Sequence, residues 1–294
     1  MQKEVDELAA TLKGEGIEVD FVRPDDWPER YEEGKGYQGA YGTLTTMWAA
    51  GEAWVVNGGA INCRSAMAPW RVGMEAWLQK ALVRLGVPVL QTVGHTGTGC
   101  LEIGNVVLDE EHILLPVGAA GNMEGIKQIV PTLERAGYRE VIPIRVPGWH
   151  GEKDRNEAWH NLHVSCIFGI VDHGVAIYDP ASFPYNVATY LQNEKGMELI
   201  EIPRDECLTH ACNTVLLEPG KVLIPDGNPE TVSLLESRDI ESVVVTMDEF
   251  KVAGGTVHCS VGRLRRDDGP LLSDLPDGPD PEDVERGPTL VDSL

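Results

Sequence analysis

A histidine and a cysteine stand side by side in "EFKVAGGTVHCSVGRLRRD", residues 249–267, just after a pair of glycines. A thiolate is a strong nucleophile, but it needs an acid/base partner to move protons for its leaving group. The stretch "GTVHCSVGRL" reads as a strand, and neighbouring side chains of a strand face opposite ways, so His258 is turned away from the Cys259 sulfur. A partner must therefore come from elsewhere in the chain. Gly254 and Gly255 would let the backbone bend, or approach a ligand closely. From this stretch alone, Cys259 could equally be a small buried core residue.

The richest histidine region is "GWHGEKDRNEAWHNLHVSCIF", residues 148–168, with His150, His160, His163 and Cys166. The His-x2-His-x2-Cys spacing could offer metal ligands, but there is no CxxC or HExxH, and no metal is expected. His163 opens the apolar run "VSCIFGIV" at the start of a strand, which suits a general acid/base. "GHTGTGCLEIGN", residues 94–105, is glycine-rich but lacks the lysine of a phosphate loop. Its Glu102 stands between that loop and a hairpin strand. Such a carboxylate either is solvated at a turn or pairs with a planar cation such as guanidinium.

The elements that must position these groups repeat along the chain. "AWVVNGGAINC" reads as a hairpin, "RVGMEAWLQKALVRLG" as a helix and "VPVLQTV" as a strand. The order recurs in "NVVLDEEHILLPV", "NMEGIKQIVPTLERAG" and "REVIPIRV". It recurs again in "VSCIFGIVDHGVAIYD", "FPYNVATYLQNEKG" and "MELIEI", then in "ACNTVLLEPGKVLIP", "NPETVSLLESR" and "IESVVVTM". These are ββαβ units at a period of roughly 40–50 residues. The N-terminal helix–strand "KEVDELAATLKGEGIEVDFV" and the C-terminal strand supply much of a fifth unit, closed by the two chain ends. One domain over residues 1–265 is expected, with the irregular segment 23–51 as a loop over a central site. The acidic, Pro/Gly-rich residues 266–294 are expected to be a disordered tail.

The composition limits the function. The 294 residues carry 24 Lys plus Arg against 47 Asp plus Glu, a net charge of −23 that argues against a nucleic-acid partner. It suits a cationic small-molecule substrate, or serves solubility alone. No apolar run approaches the roughly 20 residues that span a bilayer. The opening residues form an amphipathic helix without a signal-peptide pattern, so no membrane partner and a cytoplasmic location are expected. The six scattered cysteines read as reduced thiols. A homo-oligomer is compatible with the composition, and no cofactor is expected.

Five blocks together resemble the guanidino-group-modifying enzymes: "LEIGN" (101–105), "VGAAGNMEGIKQIV" (117–130), "HNLHVSCIF" (160–168), "HACNTVLLEPGKVLI" (210–224) and "EFKVAGGTVHCSV" (249–261). That superfamily holds arginine deiminases, dimethylarginine dimethylaminohydrolases, arginine dihydrolases and amidinotransferases. The resemblance implies an α/β class fold, a five-bladed α/β-propeller (pentein) of ββαβ modules around a pseudo-fivefold axis. It implies Cys259 as nucleophile, His163 as general acid/base and Glu102 as the acid that holds the guanidinium. Asn105, Ser165, Gly254 and Gly255 fall at substrate-binding positions.

The sequence departs from the pattern in places. Ile103 and Asn105 replace a glycine and the last carboxylate of the acidic loop, and Ser165 replaces the Asp of His-x-Asp. The substrate-carboxylate arginine of the dimethylarginine hydrolases is missing from "VGAAGNMEG", which speaks against an α-amino-acid substrate. The family's opening strand is not found. The resemblance implies hydrolysis of a guanidine or amidine C–N bond through a thiouronium on Cys259. The alternatives are an amidinotransferase with an amine acceptor, a non-catalytic pentein binding protein and a zinc-dependent hydrolase.

Overall fold

The computed structural model describes residues 2–21, 53–64, 75–94, 97–102, 104, 106–147, 162–265 and 270–276. The segment 23–51, Asn105 and most of the tail lie outside the described residues. A helix, α1 (Gln2–Gly14), comes first. Four modules of one plan follow. In the first, β1 (Ala53–Val56) and β2 (Gly59–Asn62) form a hairpin, α2 (Glu75–Arg84) crosses over, and β3 (Val89–Thr92) returns parallel to β2. A parallel return needs such a crossover, which is why each hairpin is followed by a helix.

The second module is β4 (Val106–Val107), β5 (His112–Val117), α3 (Met123–Arg135) and β6 (Glu140–Arg145). The third is β7 (Phe168–Asp172), β8 (Val175–Tyr178), α4 (Tyr185–Asn193) and β9 (Glu198–Glu201). A short helix, α5 (Arg204–Cys207), leads to β10 (Val215–Glu218), β11 (Lys221–Pro225), α6 (Pro229–Glu236) and β12 (Glu241–Val245). In every sheet the hairpin's second strand lies in the middle. That strand is covered on both faces, so "HILLPV" of β5 reads as a continuous buried run rather than an alternation.

Each pair of neighbouring modules shares a core. Val56 and Ile61 pack with Leu115, Ile129 and Leu133, so the first module leans on the second. Leu114 and Ile144 pack with Phe168 and Leu191, and Val171 and Ile177 pack with Val222 and Leu235. The fourth module is covered by α1, whose Leu8 and Leu12 meet Leu223, Val245 and Phe250. The N-terminal segment then reaches the first module, where Arg84 Nη2 donates to Phe21 O at 3.0 Å. Residues 2–21 thus bridge the fourth module to the first, the place of a fifth unit.

Three expectations are corrected. "GIEVDFV" forms no strand among its described residues, 16–21, where Ile17 and Val19 instead pack against the α1 core. "GTVHCSVGRL" is not a strand either. After α7 (Asp248–Val252), residues Val257–Ser260 form a helical turn, α8. Residues 270–276, expected in a disordered tail, are placed against the second and third modules. Leu272 is buried in the core these two share, and its N–H donates to Asp109 Oδ2 at 2.7 Å.

Candidate active site

Glu102 leaves the glycine-rich loop along a short antiparallel ladder, with Leu101 bridged to Arg64 and Gly121. Its N–H donates to Ala120 O at 2.7 Å, and its side chain is buried. Gly104 follows and lies flat against the histidine. A Cβ there would stand 2.0 Å from His163 Cβ and 2.3 Å from Cγ, so only glycine fits. Gly104 O also accepts from Ser165 N at 3.3 Å, which docks the loop onto the histidine turn.

His163 is extended and caps a single 3-10 turn, Val164–Cys166, ahead of β7. It is therefore one turn before the strand that was expected to begin there. Its Nε2 lies 3.2 Å from Glu102 Oε2, with both groups buried. The two residues are 61 positions apart in the chain. A buried carboxylate beside an imidazole fixes the ring's orientation.

Cys259 sits on α8. Gly254, at φ 92°, ends α7 in the left-handed region, and its N–H closes the helix on Lys251 O at 3.0 Å. Gly255 is buried and donates to Phe250 O at 3.2 Å. The glycine pair therefore stops one helix and aims the next. Thr256 and Cys259 both donate to Asn213 Oδ1, at 2.7 and 3.4 Å.

The sulfur is set apart from the other thiols. A hydrogen bond from Cys166 lowers the Cys259 thiol to about 6, against the opposing effect of burial; the nearby His163, the Thr256 N–H and the Asn213 side chain lower it too. Cys166 moves well upward through the same hydrogen bond and its burial. Burial raises Cys100, Cys207 and Cys212 as well, Cys207 to about 12. Cys63 accepts from Trp54 Nε1 at 3.2 Å. Cys259 is pushed towards a thiolate at neutral pH, whereas Cys100, Cys166, Cys207 and Cys212 are held as thiols.

Cys259, His163 and Glu102 thus converge from three parts of the chain, and Ser165 lies buried in the same turn as His163. Asn105 lies outside the described residues, as do His150 and His160. Among the described residues, no group of three or more His, Cys, Asp and Glu is arranged to hold a metal ion. Sequence reasoning passed over Cys166 and Asn213 as parts of the centre. Both were in quoted blocks, "HVSC" and "ACNTV", but only the fold shows that they meet Cys259.

No protein-family model matches the chain. Over 284 residues it is 28% identical to a 2-nitroimidazole nitrohydrolase of Mycobacterium sp. (strain JS330), an alignment covering 93% of this chain and 70% of that protein. Among solved structures, it is similar to the product-bound N-terminal domain of ArgZ, an arginine dihydrolase from the ornithine–ammonia cycle in cyanobacteria. The TM-score is 0.69 at 16% identity, covering 90% of this chain and 85% of that one. It is also similar to the dimethylarginine dimethylaminohydrolase of Pseudomonas aeruginosa complexed with citrulline, with TM-score 0.54, 22% identity and coverage of 71% and 72%. The fold is the pentein fold, the α/β-propeller of the guanidino-group-modifying enzyme superfamily.

Proposed function

We propose that the protein is a cysteine-dependent hydrolase that attacks a carbon held between nitrogens, as in a guanidine or amidine, and expels one substituent. The observation that carries this reading is the buried His163–Glu102 contact at 3.2 Å, and the downward push on the Cys259 thiol beside it supports it. The Cys259 thiolate adds to the central carbon, forming a C–S bond. The C–N bond breaks as His163 gives its proton to the departing amine, leaving on sulfur a thiouronium from a guanidine or a thioimidate from an amidine. His163 then takes a proton from water, the hydroxide adds to the same carbon, and sulfur leaves as thiolate. Glu102 holds the imidazole in place and compensates positive charge at the centre.

A second reading keeps the attack but changes the leaving group. Carbon 2 of a 2-nitroimidazole is also flanked by two ring nitrogens, and nitrite leaves as an anion without needing a proton. The similarity to the nitrohydrolase over nearly the whole chain favours it. So do the thinned carboxylates, since Ser165 and Asn105 stand where guanidine-modifying enzymes often carry acids. A neutral ring needs fewer negative partners than a guanidinium.

Incubation with guanidines, amidines and 2-nitroimidazole separates the two. Ammonia or amine release from the first classes supports the leading reading, and nitrite release from the last supports the second. A new guanidino product formed only when an amine is added would make the enzyme an amidinotransferase. Full function in a folded Cys259→Ala variant would sink the hydrolytic mechanism altogether.

A further inference from the structure

Asn213 is fully buried between α5 and β10. Its side-chain amide reaches in two directions. Oδ1 accepts from Thr256 Oγ1 and from the N–H of Cys259, while Nδ2 donates to Ser165 O at 3.2 Å. Its own carbonyl accepts from His258 N at 3.4 Å. Ser165 belongs to the turn headed by His163, and Cys259 to α8. One amide therefore ties the element carrying the candidate nucleophile to the element carrying its acid/base. A buried primary amide must have its donors and acceptor filled, and here the partners are the backbones of those two turns and the Thr256 hydroxyl.

The turn that presents Asn213 is itself unusual. His210, three residues earlier, sits at φ 67°, a left-handed conformation rare for a side-chain-bearing residue, and its carbonyl accepts from Asn213 N at 2.9 Å. Strain of this kind persists only where the surroundings hold it, and it clusters at functional centres.

We propose that Asn213 is a positioning residue of the catalytic centre, a clamp that fixes the Cys259 sulfur against His163 by joining their two turns. The inference rests on the reading of Cys259 and His163 given above, and its test checks that reading separately. The Asn213 side chain also favours the charged form of the Cys259 sulfur.

The test is the rate of Cys259 alkylation by iodoacetamide against pH, followed by peptide mass spectrometry on the full-length chain. It needs no substrate. In the wild type the rate should rise through about pH 6 and then level off. Asn213→Ala should move that midpoint upward, so that below it the rate falls about tenfold for each unit of the move. Asn213→Asp should move it further, because a carboxylate adds like charge beside the thiolate.

Asn228→Ala is the control for a purely structural effect. Asn228 is also buried, and its side chain ties Thr209 to Pro225 and Asp226 rather than to the turns of Cys259 and His163. Its loss should lower the melting temperature and leave the alkylation midpoint alone. A folded Asn213→Ala protein with the wild-type midpoint overturns the proposal. Should that variant not fold, Asn213→Asp and Thr256→Val decide in its place, and an unchanged midpoint in both would equally overturn it. A wild-type midpoint near the ordinary thiol value of about 8.5 would instead remove Cys259 as the activated nucleophile.

Discussion

At Gly104 a Cβ would stand 2.0 Å from His163 Cβ, so any side chain there must push the loop or the imidazole aside. Gly104→Ala should therefore lower turnover by about a hundredfold, the scale expected when a reacting group shifts by an ångström. The chain should still fold, because the displaced loop lies at the centre rather than within a module core. A fully active, folded Gly104→Ala enzyme would show that the His163–Glu102 contact is not needed. The lowered Cys259 thiol gives a pH prediction of definite sign. The thiolate is the reactive form, so activity should be lost as pH falls through about 6. An acid limb near the ordinary thiol value, read from kcat/KM against pH, would contradict that assignment.

Among the elements, two buried carboxylates do joining work. Glu4 of α1 accepts from Glu249 N at 3.0 Å and Phe250 N at 3.4 Å, capping the start of α7 from 245 residues away. Glu4→Ala should cost about 1–2 kcal/mol, measured by urea denaturation, because it strips the acceptors from a helix N-terminus. Asp109 holds the C-terminal strap. Burial alone would raise its carboxyl, but its hydrogen bond and charge interaction with His112, with the Leu272 and Glu111 N–H groups, lower it overall. Asp109→Ala should release residues 270–276 to protease while leaving the four modules protected. If the strap remained protected, Leu272 packing alone would account for it.

Much of this level was legible in the chain. The hairpins announced themselves by glycine turns such as Gly58 and Gly220, both at positive φ, and α3 by buried residues Ile126, Ile129, Val130 and Leu133 on one face. What failed to show was long-range. "TVHCSV" has strand composition, yet Asn213, 46 residues upstream, takes the Cys259 N–H and the turn closes as helix. Residues 270–276 lie in a stretch with the composition of disorder, and the anchor of Leu272, Asp109, is 163 residues away. Local propensity does not register partners at that range.

In the whole molecule, four modules and the N-terminal segment form a succession of shared cores, and the candidate site lies where turns from three parts of the chain meet. This is why its members look unrelated in sequence. The chain carries a net charge of −23 on this frame. Like charges oppose compaction, so adding salt up to about 0.15 M should raise the melting temperature; a fall would mean that specific ion pairs outweigh the general repulsion. No helix among the described residues is long and apolar enough to cross a membrane. Covalent chemistry at Cys259 on a carbon between nitrogens would leave its mark in intact-protein mass spectrometry during turnover of guanidines, amidines and 2-nitroimidazole. An adduct that maps to Cys259 and disappears in Cys259→Ala is the expected result. Turnover with no adduct that survives in Cys259→Ala, or no adduct and no turnover across the whole panel, would contradict it.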